Sequence, residues 1–145
     1  ESVCLNVRRG DFVDNPKSRS FHGFYGSSYI EQAMEIIGTK VSNPKAFVFS
    51  DDVEWCRDHI RLDCPAVFVG HEWAGVDFDQ YLFLMSQCRH YVIPNSSFAW
   101  WAVWMNNRPA GRTVIAPKRW FQDPSIRFDD LIPADWIRLD VKAEA

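Results

Sequence analysis

Short apolar runs rich in β-branched and aromatic residues recur along the chain, and between them lie stretches patterned for helix. The runs are Val3–Val7, Ala46–Phe49, Ala66–Val69, Tyr91–Ile93 and Thr113–Ala116. Each is bounded by polar or turn residues, the pattern of a strand buried on both faces. Between them, Ser27-Ser28 opens a segment in which Ile30, Ala33, Met34 and Ile37 keep a three-to-four spacing, with Gly38 as its expected stop. Asp51-Asp52 is expected to cap a shorter helix through Trp55 and Cys56. Asp77 or Asp79 starts one carrying Leu82, Met85 and Ser86, and Asn95-Ser96-Ser97 starts one through Trp101 and Met105. Strands separated by crossovers of a dozen or more residues cannot be hairpins. They pair in parallel, with the helices on the two faces of the sheet. The expected fold is therefore α/β, a Rossmann-like parallel sheet flanked by helices.

The 145 residues fit one domain, and no Pro/Gly-rich linker divides them. The chain opens on Glu1-Ser2, directly before an apparent interior strand, which reads as the start of a piece of something longer. The stretch from Asp123 is expected to wrap the domain edge, with Lys142 to Ala145 frayed. A net charge of −3 argues against broad nucleic-acid or membrane-surface binding. Four scattered cysteines without a Cys-x-x-Cys pair suit buried thiols in a reducing compartment better than disulfides or zinc. No apolar run approaches the ~20 residues of a membrane span, and no signal peptide opens the chain, so the expected setting is cytoplasmic.

In an open parallel sheet, ligands bind beyond the carboxyl ends of the strands. The residues there are polar: Arg8-Arg9-Gly10-Asp11, Ser50-Asp51-Asp52, Gly70-His71-Glu72-Trp73, Asn95-Ser96-Ser97 and Pro117-Lys118-Arg119-Trp120. Strand alternation sends Asn6 and Arg8 to one side and Val7 and Arg9 to the other. Asn6 and Arg8 can then act on one ligand, and an arginine fork neutralises a diphosphate without a metal. The start of the helix at Asn95-Ser96-Ser97 offers unpaired backbone N–H groups to an anion. Helix capping, a metal site or contacts to ribose or base are the readings open to Ser50-Asp51-Asp52, with capping favoured and metal weakest. His22 and His71 are candidate bases by residue type. Phe98, Trp100, Trp101 and Trp104 read as core packing, with a sugar-stacking role open to one of them.

Together, Val7-Arg8-Arg9-Gly10-Asp11-Phe12, Phe49-Ser50-Asp51-Asp52 with Trp55-Cys56, Leu84-Met85-Ser86-Gln87-Cys88, Asn95-Ser96-Ser97-Phe98-Ala99-Trp100-Trp101 and Ile115-Ala116-Pro117-Lys118-Arg119-Trp120-Phe121 resemble the α-1,2-fucosyltransferases, glycosyltransferase family 11. The resemblance implies the carboxyl-terminal, donor-binding half of a GT-B enzyme. It further implies inverting, metal-independent transfer of fucose from GDP-fucose to a galactose 2-hydroxyl, with no cofactor. The partners it implies are a nucleotide-sugar donor, a glycan acceptor and the chain's own amino-terminal half, with peripheral attachment at the inner face of a bacterial membrane open. On this reading Arg8 holds the diphosphate and is the catalytic residue. The wider donor site takes in Asn6, Arg9, Asp11, Ser50, Asp51, Asp52, Asn95, Ser96, Ser97 and Phe98. Asn6 stands where the family usually has His, and Tyr81 where it commonly has an acid that reads guanine, with Asp77 or Asp79 as the substitutes. These departures keep open a non-catalytic nucleotide-sugar or glycan-binding module, or another nucleotide sugar as donor.

Overall fold

A computed structural model describes residues 1–144. Six strands form one sheet, all parallel: β1 (Ser2–Val7), β2 (Lys45–Ser50), β3 (Ala66–Phe68), β4 (His90–Val92), β5 (Val114–Pro117) and β6 (Ile137–Leu139), in the order β3-β2-β1-β4-β5-β6. The order reverses between β1 and β4, so the crevice at that switch point lies beyond Val7 and Val92. The expected Rossmann-like α/β fold is the one observed, and β6 is the strand added to it.

The helices are α1 (Gly10–Asp14), α2 (Pro16–His22), α3 (Ser27–Lys40), α4 (Val53–His59), α5 (Asp79–Ser86) and α6 (Ser97–Met105), with 3-10 turns at His71–Trp73 and Val76–Phe78. One face of the sheet packs through Leu5, Val48 and Val92 against Tyr29, Ala33 and Ile37 of α3. The other packs through Cys4, Phe49 and Tyr91 against Met85 of α5 and Ala99, Ala102 and Val103 of α6. Every residue of β4 and β5 is buried, as expected of strands covered on both faces.

Three readings are corrected. Gly38 does not stop its helix, which runs on to Lys40 and leaves through an extended Val41, so no left-handed glycine cap is needed. A Cβ at Gly38 would meet nothing within 4 Å. Gly38→Ala is therefore expected to stabilise the fold by about 0.5–1 kcal/mol, the usual helix-interior difference, seen as a raised urea midpoint at constant slope. The carboxyl-terminal residues are not frayed, because Glu144 N–H donates to the Phe24 carbonyl at 2.7 Å; Ala145 lies outside the described residues. Of the aromatic cluster on α6, Trp101 and Trp104 are 55% and 49% exposed, so only Phe98 and Trp100 pack against the core. Residues 10–22, to which the sequence reading assigned no element, hold two short helices, and Asn15 caps the second by accepting from the N–H groups of Lys17 and Ser18.

No helix is long and apolar enough to cross a membrane among the described residues. Cys4, Cys56, Cys64 and Cys88 are all free thiols.

Candidate functional site

β1 ends at Val7, and the chain turns at once into α1, which lifts Arg8 to the rim of the sheet. Its guanidinium donates to Asp11 Oδ1 at 2.7 Å and lies 3.3 Å from Asp51 Oδ2. Arg9 faces the other way, as alternation requires. It lies 3.7 Å over the ring of Trp55 and 5.4 Å from that of Phe24, with its Nε 3.3 Å from Asp52. Only 15% of its side chain is exposed, against 39% for Arg8. Arg9 therefore clamps the end of β1 to the start of α4, and Arg8 is the arginine left to a ligand.

The two aspartates after β2 divide the work of building this turn. Asp51 accepts the Arg9 backbone N–H at 2.8 Å, and Asp52 caps α4 by accepting from Trp55 N–H at 3.2 Å. Capping is thus the part played by Asp52, as the residue types suggested. A Cβ on Gly10 would sit 2.5 Å from Asp51 Oδ2, which explains a glycine at a position with an ordinary φ.

Beside Arg8 lies a cleft of about 200 Å³ lined by Asn6, Val7, Arg8, Ser50, Asp51, Asp77, Phe78, Tyr81, Ser96 and Phe98. Of the residues predicted for donor binding, six meet here: Asn6, Arg8, Ser50, Asp51, Ser96 and Phe98. Asn6 is almost buried and donates to the Phe49 carbonyl at 3.2 Å. Ser50 Oγ accepts the Asp52 N–H. Ser96 is the N-cap of α6, so its hydroxyl and the first free N–H groups of that helix open onto the same space.

The remaining five lie outside the cleft wall. Arg9 and Asp52 form the clamp just described, and Asp11 stands outside, holding Arg8. Ser97 is exposed on the first turn of α6. Asn95 is 2% exposed and ties three segments together, donating to the carbonyls of His22 at 2.7 Å and Trp120 at 2.9 Å.

Of the two candidate bases, His71 is fixed by its Nε2 contact to the Ser50 carbonyl at 2.9 Å. His22 stacks on Phe12 with ring centroids 4.7 Å apart. Burial lowers the His22 pKa from its ordinary value, with Arg8 adding to the effect and Asp11 opposing it, so the ring is neutral at pH 7.

On the remaining wall of the cleft, sequence reasoning had named Tyr81, and Asp77 as a substitute guanine reader, but missed Phe78 and the strained turn that carries it. Asp77 and Phe78 both adopt left-handed backbone conformations, φ 52° and 61°, ahead of α5. Two successive non-glycine residues there cost on the order of 1–3 kcal/mol each, and such strain gathers at ligand sites. The signal was Gly75, whose φ of 75° starts the distorted turn. Tyr81 is spoken for: its hydroxyl donates to the Val69 carbonyl, and burial pushes its pKa up to about 12. It presents a ring to the cleft, with no acceptor pair for a nucleobase.

The sequence pattern that defines "Glycosyl transferase family 11" matches residues 1–140. An Escherichia coli alpha-1,2-colitosyltransferase is 34% identical over 96% of this chain and 48% of its own length. The O-antigen biosynthesis glycosyltransferase WbnK of E. coli is 34% identical over 83% of the chain and 39% of its own. The mouse galactoside 2-alpha-L-fucosyltransferase Sec1 is 33% identical over 71% and 28%. The chain thus spans about half the length of these relatives, or less. No solved structure matches it. A match over 140 of 145 residues, carried on a parallel sheet whose switch-point cleft holds the arginine of the Arg8-Arg9-Gly10-Asp11 turn, shows that the chain belongs to glycosyl transferase family 11.

Proposed function

We propose that this chain is the donor-binding part of a metal-independent, inverting glycosyltransferase that moves fucose, or a closely related deoxy sugar such as colitose, from its GDP ester to the 2-hydroxyl of a galactoside. The observation that carries the reading is the convergence of Arg8 and the amino end of α6 on one cleft at the β1/β4 switch point. In such a transfer the bond between the anomeric carbon and the diphosphate breaks, and negative charge grows on the departing oxygen. Arg8 meets that charge with two N–H donors, and the Ser96 end of α6 adds backbone N–H groups and the positive end of the helix dipole. Phe78, Tyr81 and Phe98 supply apolar walls for a base, and Asp77 a carboxylate that accepts the paired N–H groups of guanine. On this reading the acceptor glycan is held, and the active site completed, by the part of the longer relatives that this chain does not cover.

Thermal shift tests the donor, because a ligand selective for the folded state raises the unfolding midpoint. GDP and GDP-fucose are expected to raise it by several degrees at millimolar concentration, and UDP-sugars to leave it unchanged. Equal shifts with uridine and guanosine nucleotides would remove guanine recognition from the reading.

A further inference from the structure

We propose that the face of the domain built from α5 and α6 is the interface of a homodimer, in which two copies meet about a two-fold axis and each sets its arginine end against the acidic end of the other. The inference stands apart from the transferase reading.

Exposed apolar side chains are not shared evenly between the two faces of the sheet. On α3 and α4, which cover one face, no large apolar residue is exposed among the described residues. On the other face, Phe83 of α5 and Trp101, Trp104 and Met105 of α6 are 58%, 55%, 49% and 50% exposed. Beside α5 the sheet is left uncovered: an apolar groove of about 490 Å³ is lined by Phe47, Phe49, Val67, Trp73 and Leu84. Trp73 is itself 60% exposed. A parallel sheet is covered on both faces, so this side lacks part of its cover. At these exposures the four aromatic rings alone present on the order of 400 Å², about half of the ~800 Å² that each partner buries in a standard interface. Trp, Phe, Met and Arg are also the residue types enriched at interfaces.

What covers it follows from its charges. Glu72 and Asp79 are exposed at the end where α5 begins, on either side of the cleft residue Asp77 in the chain. Past the last turns of α5 and α6, at the other end, come Arg89, Arg108 and Arg112. Among the described residues none of these five side chains has an oppositely charged partner within 4 Å. The three arginines belong to one place. Asn106 donates to the Cys88 carbonyl at 2.7 Å and accepts the Arg108 N–H at 2.8 Å, and Arg112 Nη1 donates at 2.9 Å to the Val103 carbonyl, beside Trp104 and Met105. Glu1, the carboxylate that feels Arg89, is already engaged by His90 at 2.7 Å. Glu72 follows β3 at one edge of the sheet, whereas Arg89 precedes β4 and Arg112 precedes β5 toward the other. Half a turn about an axis through the apolar middle therefore brings each end of one copy onto the opposite end of its partner, the self-complementarity that an isologous dimer requires. An anionic bilayer would suit the arginines but meet both acids as like charges, and the net charge of −3 adds to that repulsion.

Sedimentation velocity decides it. The chain is expected to form a reversible dimer in the micromolar range, and Phe83→Asp to hold it monomeric with a nearly unchanged unfolding midpoint. Two charge variants carry the sharper test. Glu72→Lys with Asp79→Lys leaves both ends positive, and Arg89→Glu with Arg108→Glu leaves both net negative, so each variant alone is expected to dimerise at least about tenfold more weakly. Mixed in equal amounts, the two are expected to pair with each other at close to wild-type strength, because each end again meets its opposite. A monomeric wild-type chain, charge variants that dimerise as wild type does, or a mixture that stays monomeric overturns the proposal. So does a full-length protein that is monomeric at the same concentrations, which gives the face to the rest of its own chain. A monomer that sediments with phosphatidylglycerol vesicles gives the face to a membrane and overturns it as well.

Discussion

Replacing Arg8 by alanine is expected to weaken GDP binding about tenfold to a hundredfold while leaving the unfolding midpoint nearly unchanged. The size follows from what is lost. Two hydrogen bonds from a charged donor to an anion are worth about 1.5–3 kcal/mol, and Arg8, 39% exposed, belongs toward the lower part of that range because water screens it. Asp51 adds to the loss, since removing Arg8 leaves its carboxylate facing an incoming diphosphate. Arg8→Lys keeps the charge but not the fork and is expected to fall between the two. Calorimetric titration of GDP measures all three, and equal affinities in wild type and Arg8→Ala would sink the assignment. Arg9→Ala is the informative contrast. Arg9 is sandwiched against Trp55 and tied to Asp52, so the same substitution one residue later should show up chiefly in stability.

The largest loss of stability is expected at Asn106, just past α6. It is 7% exposed, and its Nδ2 reaches the carbonyls of Ser86 and Cys88 and the hydroxyl of Tyr91 at 2.7–2.8 Å, while its Oδ1 accepts the Arg108 N–H at 2.8 Å. One side chain thereby joins the ends of α5 and α6 to β4. Asn106→Leu fills the volume but leaves those acceptors short of a donor, at a cost of about 2–3 kcal/mol. Asn106→Asp keeps the shape and reverses the hydrogen bonding, setting a carboxylate against two carbonyl oxygens. It should be at least as damaging at pH 7 and recover in part at pH 4, where the protonated acid donates again. Urea unfolding at the two pH values separates lost hydrogen bonding from lost packing, and a cost below 1 kcal/mol for both variants would show that the network is dispensable.

Four of the six strands were legible because a strand largely buried on both faces must be apolar throughout, and the exposed edge strand β3 was legible because its short run is apolar all the same. β6 was not. It has three residues, one of them Arg138, and it is a strand only because β5 offers it an edge. Gly38 misled because a glycine late in a periodic segment is usually a cap, and only the observed Lys40 terminus shows that this one is not. The short helices before His22 did leave a trace in Asn15-Pro16, a capping residue followed by proline at the first helical position.

At the site, alternation along β1 separated Arg8 from Arg9 correctly, since the direction of a side chain in a strand is fixed by the backbone. Asp77 was named as a candidate, but the geometry of the Asp77–Phe78 wall was beyond reach. Its position depends on a left-handed turn that Asp77 tolerates and that a bulky Phe78 ordinarily avoids. Asn95 shows a different limit. An Asn-Ser-Ser at a helix start reads as a ligand-binding or capping motif, and nothing local reveals that the first of the three is consumed in tying down His22 and Trp120.

Around Arg8 the protein has set two arginines against three aspartates, so this part of the rim is no magnet for anions. A ligand reaching it must trade places with Asp11, whose bond to Arg8 is the exposed one. That exchange runs both ways. On the proposed transferase reading, the carboxylate that would compete with an incoming diphosphate is also placed to reclaim the arginine when the product nucleotide leaves. Under that reading tight grip gives way to release, and arrival of an anion should depend little on ionic strength because long-range attraction contributes little to it.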